Sequence, residues 1–289
     1  MKINVYKMNT FAKTSTGGNE AGIVLNADNL SVDQMQKTAA AVGFSETAFV
    51  MESDCADFKI RFFTPNEEVD LCGHATIGAF YTLAVKGFIK PGTYSQQTKA
   101  GILNVRANED LSIMMDQPAP VFYEEIDKEL IADSLNITQA EILNDLPVQI
   151  VSTGLKDILV PVKNLSVLSS ISPDFEKIKK VSEQYNVIGY HVFTLESLNG
   201  TTAHCRNFAP LYDIPEESAT GTSNGALSCY LFKYCQIDNN SARNISFEQG
   251  YSMGKPSEIL ASVMFEGNEI LGVKVGGKVL NMSELQIEI

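Results

Sequence analysis

The sequence lacks tryptophan altogether and has only three histidines among its 289 residues. Its cysteines give no framework either, because their number is odd and no two stand in a Cys-x-x-Cys or Cys/His ligand spacing. The five are Cys55, Cys72, Cys205, Cys229 and Cys235. This pattern argues against a disulfide-stabilised secreted domain and against a zinc site, so we expect no bound metal.

Long apolar runs and nucleotide-binding motifs are also missing. No segment approaches the roughly 20 apolar residues of a membrane span, and the N-terminal residues MKINVYKMNTF lack the apolar core of a signal peptide. There is no Walker-type GKS or GKT, and the GxGxxG-like segments near Gly221 and Gly276 lack the full spacing. We therefore expect a cytoplasmic protein that uses no nucleotide cofactor.

The composition is that of an ordinary globular protein with an excess of acidic residues. Hydrophobic residues make up 44% and charged residues 20%, which is enough apolar material for one large core or two medium ones. The net charge of -13 repels nucleic acid and anionic membranes, so we expect neither as a partner. A small molecule that binds locally is the partner that fits this composition.

Two segments about half a chain apart carry the same pattern. Residues 61–65 (RFFTP) and 206–210 (RNFAP) both read R-x-F-x-P and lie 145 positions apart. Downstream of each, GHATIGAFYTL and GTSNGALSCYL place small residues before an apolar helix. A repeat at nearly half the chain length is typical of a duplicated domain. Chance recurrence of three matched positions is the alternative.

The duplication predicts an α+β fold of two pseudo-symmetric halves. In each half, a mostly antiparallel β-sheet is rolled around one central α-helix, predicted over Ala75–Lys86 and over Ser223–Lys233. Both helices are too apolar for a surface position. We place the first half at residues 1–118 with 278–289, and the second at residues 119–277.

Both central helices are preceded by a glycine and a polar side chain, Gly73-His74 in the first half and Gly221-Thr222 in the second. Free backbone N–H groups and the helix dipole favour an anion at a helix start, and glycine lets a ligand approach the backbone. If both starts face a cleft between the halves, they would hold a substrate carboxylate or an enolate. The alternative is that Thr222 is an ordinary helix N-cap.

Glu46 is the candidate proton carrier. It stands among apolar neighbours at the start of a strand, in FSETAF, so its carboxylate is either paired or has a raised pKa. A raised pKa near the working pH suits a general acid or base. Alignment of the halves puts Gly189 near the matching position, so only the first half supplies such a group. A salt-bridged or exposed glutamate without a catalytic role is the alternative.

Further polar side chains flank the helix starts. His74 at a helix N-terminus is biased toward the neutral imidazole, which could donate a hydrogen bond or relay a proton; capping is the alternative. Glu217 precedes the second helix, where acidic residues are also common for the dipole alone. Cys72 could act as a thiol base, but the second half has no matching thiol, so packing is the simpler role. His191 and His204 lie in strand-like segments and are predicted to be structural.

Several ordered segments resemble the phenazine biosynthesis PhzF-like family, a branch of the diaminopimelate epimerase-like fold. The matching segments are residues 18–25 (GNEAGIVL), 45–49 (SETAF), 63–65 (FTP) with 72–76 (CGHAT), 219–222 (ATGT) with 225–227 (GAL), and 249–250 (QG) with 253–257 (MGKPS). They are spread over most of the chain. The resemblance implies two halves with the active site between them, no metal or organic cofactor, and a homodimer.

The resemblance also implies residue roles. Glu46 would be both base and acid, as in the family's isomerisation of a dihydro-hydroxyanthranilate. The supporting catalytic groups would be His74 and Glu217. The residues implied to bind the substrate and its carboxylate are Gly18, Asn19, Gly73, Gly221 and Thr222. The family usually has Asp where this chain has Glu217, so the carboxylate reaches one methylene further here.

The leading hypothesis is a cofactor-independent isomerase that moves a proton on a small, cyclic or unsaturated carboxylic acid, with Glu46 as the single base. A second hypothesis is a two-base racemase or epimerase of an amino or hydroxy acid that uses Cys72. A third is a binding protein for small ligands that shares the scaffold and catalyses nothing. A single base favours a double-bond shift over epimerisation.

Overall fold

The computed structural model describes all 289 residues, which form two compact units. Unit 1 comprises residues 1–116 with 276–289, and unit 2 comprises residues 117–275. None of the helices is long and apolar enough to cross a membrane.

The elements follow one another in a mixed order of strands and helices. The strands are β1 (Lys2–Thr10), β2 (Asn19–Val24), β3 (Glu46–Met51), β4 (Phe58–Phe63), β5 (Glu68–Val69), β6 (Gly92–Thr98), β7 (Gly101–Ala107), β8 (Ile113–Gln117), β9 (Val121–Glu125), β10 (Gln149–Ser152), β11 (Lys156–Pro161), β12 (Gly189–Thr194), β13 (Ala203–Ala209), β14 (Ile214–Glu217), β15 (Ile245–Gln249), β16 (Ser257–Glu266), β17 (Glu269–Gly277) and β18 (Val279–Glu288). The α-helices are α1 (Val32–Val42), α2 (Gly73–Val85), α3 (Lys128–Leu135), α4 (Leu165–Ser170), α5 (Phe175–Tyr185) and α6 (Gly221–Lys233).

The strand pairings of unit 2 repeat those of unit 1. In unit 1, β2 is antiparallel to β1 and parallel to β3, β3 is antiparallel to β4, and β4 is antiparallel to β5 and parallel to β6. In unit 2, β11 is antiparallel to β10 and parallel to β12, β12 is antiparallel to β13, and β13 is antiparallel to β14 and parallel to β15. The same order and sense in both units confirm the duplication.

Each unit has one central helix, α2 or α6, that is buried on nearly all sides. Both helices have 13 residues, and both are apolar around most of their circumference. Such a helix is stable only inside a core, which is why each sheet wraps around it. Both helices begin two residues earlier than predicted, at Gly73 and Gly221.

Outer helices cover the opposite faces of the sheets. In unit 1, α1 begins with a capping box at Ser31 and buries Met35 and Ala39 against a cluster that includes Phe49 and Phe63. In unit 2, α5 packs with α3 in the equivalent apolar cluster. The sheet residues that alternate with these apolar side chains therefore face α2 or α6.

The arginine of the R-x-F-x-P motif forms an ion pair in both units. Arg61 makes two hydrogen bonds to the carboxylate of Glu68, at 2.7 and 2.8 Å. Arg206 makes two to Glu216, both at 2.9 Å. Each guanidinium also lies over the phenylalanine of its own motif, at 5.3 and 4.9 Å from the ring centroid. The motif arginine therefore forms a bidentate pair and lies over the motif ring in both copies, whereas its glutamate partner lies outside the motif, at a different spacing in each copy.

Candidate active site

Glu46, Cys72 and His74 form one cluster in unit 1. Glu46 is the first residue of β3, while Cys72 immediately precedes α2 and His74 is in its first turn. His74 Nε2 lies 3.0 Å from Glu46 Oε2, and Cys72 Sγ lies 3.4 Å from His74 Nδ1. The Ser45 hydroxyl is 3.3 Å from His74 Nε2. The start of a strand and the start of a helix thus bring together an acid, an imidazole and a thiol.

The charges in this cluster differ from those expected. Burial alone raises the pKa of Glu46, but hydrogen bonds and the charge of His74, with Ser45 and Cys72, lower that pKa below its ordinary value. Burial lowers the pKa of His74, yet Cys72 and Glu46 outweigh burial and raise it well above its ordinary value. The prediction of a neutral His74 is therefore wrong, because the adjacent carboxylate favours the imidazolium. Of the two alternatives for Glu46, paired or raised in pKa, the structure shows the paired one.

Cys72 is more than a packing residue, although its thiol is not activated. The side chain is buried, and burial is the largest influence on its pKa, which lies above the ordinary value. A thiol that keeps its proton is a poor general base. Its sulfur nevertheless contacts His74 and adds a third polar group beside Glu46.

The start of α2 has no side-chain cap. Its N-cap residue, Cys72, makes no side-chain capping hydrogen bond. A Cβ placed on Gly73 would meet only the Met115 methyl group, at an ordinary contact distance of 3.7 Å. Packing therefore does not require glycine at this position, whereas close approach of a ligand to the backbone would.

Gly18 and Asn19 lie at the start of β2 in unit 1. Gly18 has a φ of 78°, and a Cβ there would lie 2.3 Å from the Thr10 carbonyl oxygen, so the backbone itself requires glycine. Asn19 pairs with Thr10 in the sheet. β2 and β3 are parallel neighbours, and Glu46 pairs with Ala21 of β2. Asn19 lies two residues before Ala21 in the same strand. The segment is thus held near Glu46 by the β2–β3 pairing.

In unit 2, Glu217 and Thr220 are tied to Gln249 at the start of α6. Glu217 ends β14 and accepts a hydrogen bond from the Thr220 hydroxyl. Gln249 donates to the Glu217 carbonyl oxygen at 2.8 Å and to the Thr220 hydroxyl at 3.0 Å. Glu216, the residue before Glu217, is instead the partner of Arg206. The structure therefore gives two adjacent glutamates different roles.

The start of α6 resembles that of α2. Gly221 and Thr222 are its first two residues, and the N-cap position is occupied by Thr220 without a side-chain capping bond. The alternative that Thr222 is the N-cap is wrong. The Thr222 carbonyl oxygen accepts a hydrogen bond from Thr153, 3.2 Å away. Both helix starts are thus free of side-chain caps.

The two R-x-F-x-P copies fix the correspondence between the units residue by residue. Their phenylalanines pair with Thr47 in β3 and with Tyr190 in β12. Glu46, one residue earlier, therefore corresponds to Gly189, as the sequence comparison suggested. Only unit 1 has a side chain at this position.

The neighbouring strand shows what sequence reasoning missed. The residue that pairs with Glu46 is Ala21 in β2, and the residue that pairs with Gly189 is Asp157 in β11. Unit 2 therefore also has a carboxyl group at this level of the sheet, one strand away. Asp157 is 1% exposed and accepts a hydrogen bond from Ser223 at 2.7 Å, while its Oδ1 atom has no hydrogen-bond partner.

Asp157 belongs to a polar interface between the sheet and α6. Hydrogen bonds link its members: Ser223 accepts from Asn207, Asn207 contacts His191, and His191 contacts Asn224. These five buried residues correspond to mostly apolar residues at the interface with α2. The unit 2 residues are Asp157, His191, Asn207, Ser223 and Asn224, and the unit 1 residues are Ala21, Ala48, Phe62, Ala75 and Thr76. A strand-by-strand alignment of the copies is the signal that could have found this difference.

Burial shifts both ionisable groups of this interface toward their uncharged forms. Burial raises the pKa of Asp157 to about 7, although Ser223 lowers it, and the charge of Glu217 raises it further. Burial lowers the pKa of His191 to about 4, so the prediction that His191 is structural fits a neutral ring between two amides. His204 is paired with Glu248 at 2.8 Å.

Comparison with known proteins identifies the family. The model of the phenazine biosynthesis-like protein family, PhzC-PhzF, matches residues 8–284. The chain belongs to this family. An uncharacterized isomerase of Clostridium acetobutylicum is 36% identical over 286 residues, which cover 96% of this chain and 95% of that protein. This family member is an isomerase with the diaminopimelate epimerase-like fold.

Two further relatives place the chain within the family. A PhzF family protein of Bacillus anthracis has the same fold, with a TM-score of 0.90 and 32% identity over the full length of both chains. The trans-2,3-dihydro-3-hydroxyanthranilate isomerase of Pseudomonas chlororaphis is 27% identical and covers 93% of this chain and 94% of its own.

Proposed function

We propose that this family member is a cofactor-independent isomerase that moves a proton within a small, unsaturated carboxylic acid, with Glu46 as the proton carrier. The observation that supports this most is the contact between Glu46 and His74 at the uncapped start of α2. The lowered pKa of Glu46 keeps the carboxylate ionised at neutral pH. A resting enzyme of this kind is ready to accept a proton.

The reaction needs one base and one anion-binding group. Glu46 takes a proton from a carbon that is conjugated with the substrate carboxylate, so a C–H bond breaks and an O–H bond forms. The electron pair left behind spreads over the conjugated system. His74 and the backbone N–H groups of α2 stabilise this negative charge. Return of the same proton to another carbon of the conjugated system shifts the double bond and restores the carboxylate.

The basicity of Glu46 limits which substrates it can deprotonate. A carboxylate with a lowered pKa is a weak base, so it removes a proton only from a carbon acid whose anion is strongly delocalised. A cyclic or linear diene that bears a carboxylate has this property, whereas a simple hydroxy acid does not. The substrate named for the Pseudomonas chlororaphis relative, trans-2,3-dihydro-3-hydroxyanthranilate, is such a compound.

Single-base chemistry fits the asymmetry between the units. The position equivalent to Glu46 is Gly189, and the nearest thiol, Cys72, holds its proton because burial raises its pKa. A two-base racemase needs a second group that can deliver a proton to the opposite face. We therefore favour a double-bond shift, with Glu217 and Thr222 as supporting groups and Gly18, Asn19, Gly73 and Gly221 as binding positions.

The test is proton transfer in deuterated water. The wild-type protein is incubated with trans-2,3-dihydro-3-hydroxyanthranilate and with a panel of cyclic and linear dienoic acids, and NMR follows double-bond migration and deuterium uptake. Glu46→Gln is compared with the exposed control Glu52→Gln. We expect Glu46→Gln to lose at least about 100-fold in turnover, as for removal of a general base, and the control to retain it.

Other outcomes identify the other hypotheses. Exchange that survives Glu46→Gln but disappears in Cys72→Ser would indicate a thiol-based racemase or epimerase. A ligand that raises the melting temperature but shows neither double-bond migration nor exchange in any variant would indicate a binding protein. Either result would overturn the proposal.

A further inference from the structure

We propose that Glu46, Cys72 and His74 also form a binding site for one thiophilic divalent cation such as zinc, and that the bound ion inhibits the enzyme. The binding half of this proposal rests on the geometry of the cluster alone. The inhibition half rests on the proposed function of Glu46.

The donor atoms of the three side chains are already gathered. One oxygen of Glu46, one nitrogen of His74 and the sulfur of Cys72 lie within 4.8 Å of one another. His74 Nε2 is 3.0 Å from Glu46 Oε2 and 3.7 Å from Cys72 Sγ. Zinc bonds of about 2.0–2.3 Å in tetrahedral geometry place neighbouring donors roughly 3.3–3.7 Å apart. These separations are close to those of a zinc site, but Cys72 Sγ lies near both ring nitrogens, so the His74 ring must turn to direct Nε2 at the ion.

The donor set favours zinc over magnesium or calcium. Thiolate and imidazole are preferred ligands of zinc, whereas magnesium and calcium prefer oxygen. Glu46 Oε2 is buried and its partner in the cluster is His74 Nε2 at 3.0 Å, so an ion that binds both atoms replaces this contact. Three protein ligands also leave the fourth position of zinc for water or for a ligand carboxylate.

The surroundings favour a cation as well. The chain carries a net charge of -13, which raises the local concentration of divalent cations around the protein. The side chains of His74 and Glu46 are 10% and 21% exposed, so a small ion can reach them. The sequence does not predict this site, because Glu46 lies far along the chain from Cys72 and His74, and Cys72-x-His74 is not a common zinc spacing.

Metal binding exchanges protons for the ion. The Cys72 thiol and the His74 imidazolium each release one proton, and the ion takes their places beside the Glu46 carboxylate. Affinity must therefore rise with pH. Since the same Glu46 oxygen cannot hold the metal and accept a substrate proton, the bound ion blocks the reaction.

Binding is tested without any substrate. Zinc is titrated into the metal-free protein against a chromogenic chelator, and cobalt is added as a spectroscopic substitute. We expect one ion per chain and a cobalt spectrum with a thiolate charge-transfer band. Cys72→Ser and His74→Asn, checked for folding by circular dichroism, should each bind zinc at least about tenfold more weakly, a loss of about 1.4 kcal/mol.

The exposed thiols provide the matched control. Cys55 and Cys235 are the two exposed cysteines, and the double variant Cys55→Ser/Cys235→Ser should bind zinc as the wild type does. Loss of binding in this control, unchanged affinity in both Cys72→Ser and His74→Asn, or a cobalt spectrum without the thiolate band would overturn the site.

The inhibition half has a separate readout. In an active preparation, one equivalent of zinc should abolish turnover, and a chelator should restore it. Zinc that binds to Cys72 and His74 but leaves turnover intact would overturn the role of Glu46 as proton carrier while the metal site stands.

Discussion

At the scale of single residues, Glu46 and His74 hold each other charged. Burial alone raises the pKa of Glu46, and His74 is the largest influence in the opposite direction. We predict that His74→Asn raises the pKa of Glu46 above its ordinary value, because burial then acts without an opposing cation. Carbon-13 NMR titration of the glutamate carboxyl groups measures the change. The acid limb of the pH–rate profile should move to higher pH with it.

Ser45→Ala is the control for this prediction. Ser45 also lowers the pKa of Glu46, but its side chain carries no charge and its effect is smaller than that of His74. Its removal should raise the pKa by less than the His74 substitution does. Equal shifts in the two variants would show that the imidazolium charge is not what holds Glu46 ionised.

Gly73 separates ligand binding from stability. A Cβ at this position meets only Met115 at 3.7 Å, and alanine is a better helix former than glycine by about 1 kcal/mol. We predict that Gly73→Ala leaves the melting temperature unchanged or raises it, and raises KM for the substrate because the methyl group blocks the approach to the backbone. Gly78→Ala is the contrast, since its Cβ would lie 3.1 Å from Ile23 and 3.2 Å from Met8. A KM unchanged in Gly73→Ala would contradict ligand binding at the α2 backbone.

Asp157 and Glu248 are buried carboxyl groups of unit 2 with opposite pKa shifts. Burial raises the pKa of Asp157 from its ordinary 3.8 to about 7. Burial also acts on Glu248, but hydrogen bonds from the backbone of Leu198, the side chain of Asn199 and His204 lower its pKa below the ordinary value. The folded state therefore binds a proton at Asp157 more tightly than the unfolded state, and at Glu248 less tightly.

The signs of the two stability effects follow from proton linkage. Stabilisation by protonated Asp157 is complete below pH 4 and is lost as the pH rises to about 7, by an amount on the order of 4 kcal/mol. We predict that Asp157→Asn flattens the fall in unfolding free energy between pH 4 and 7 and is relatively most favourable above pH 7. Urea unfolding at several pH values measures this.

Glu248→Gln should behave in the opposite sense. Stabilisation by ionised Glu248 is present above its ordinary pKa and is lost as the pH falls. The variant should therefore be most destabilised at neutral pH and approach the wild type in acid. Parallel pH profiles for the two variants would show that Asp157 does not carry the raised pKa.

At the scale of elements, the sequence predicted what lies within one segment. The R-x-F-x-P copies, the apolar helices and the strand position of Glu46 are local patterns, and they were sufficient for the duplicated fold. The sequence did not predict which residues of distant segments pair with each other. The contact of Asp157 with Ser223 depends on the register of β11 against β12, and the charge of His74 depends on a glutamate 28 positions earlier in the chain.

The two arginine–glutamate pairs should contribute differently to the free energy of unfolding. Arg206 is buried and also donates to the carbonyl oxygens of Leu168 and Ile171 at the end of α4. We predict that Arg206→Met lowers the unfolding free energy by about 2–3 kcal/mol, because the half-buried Glu216 loses its guanidinium partner and the carbonyl oxygens of Leu168 and Ile171 lose their donor. Arg61→Met should lower it by only about 1–2 kcal/mol, since Lys99 remains 2.8 Å from the carboxylate of Glu68.

A second substitution tests this explanation. In Arg206→Met/Glu216→Leu no unpaired carboxylate remains, so part of the lost stability should return. Denaturant unfolding compares the single and double variants. If the double variant is as unstable as the single one, the bonds to α4 and not the ion pair carry the energy of Arg206.

At the scale of the whole molecule, unit 1 is built from both ends of the chain. β18 supplies the only strand partner for residues Lys2–Val5, because β2 pairs with β1 only from Tyr6 onward. Leu285 and Ile287 of β18 pack against the apolar cluster beneath α1. Residues near the C-terminus thus complete the first copy of the duplicated domain.

This arrangement predicts an unequal effect of truncation. A chain that ends at Gly277 loses β18 and Ile289, so the N-terminal half of β1 has unpaired backbone groups and the cluster beneath α1 loses three apolar side chains. Hydrogen exchange should show loss of protection throughout β1 and α1, while β11 and β12 of unit 2 keep theirs. A chain that ends at Gln286 removes only the last pairings and should expose only residues Lys2 and Ile3. Equal loss of protection in β1 and β12 after the longer truncation would show that the two units unfold as one cooperative structure, and the duplicated halves would then have no separate stability.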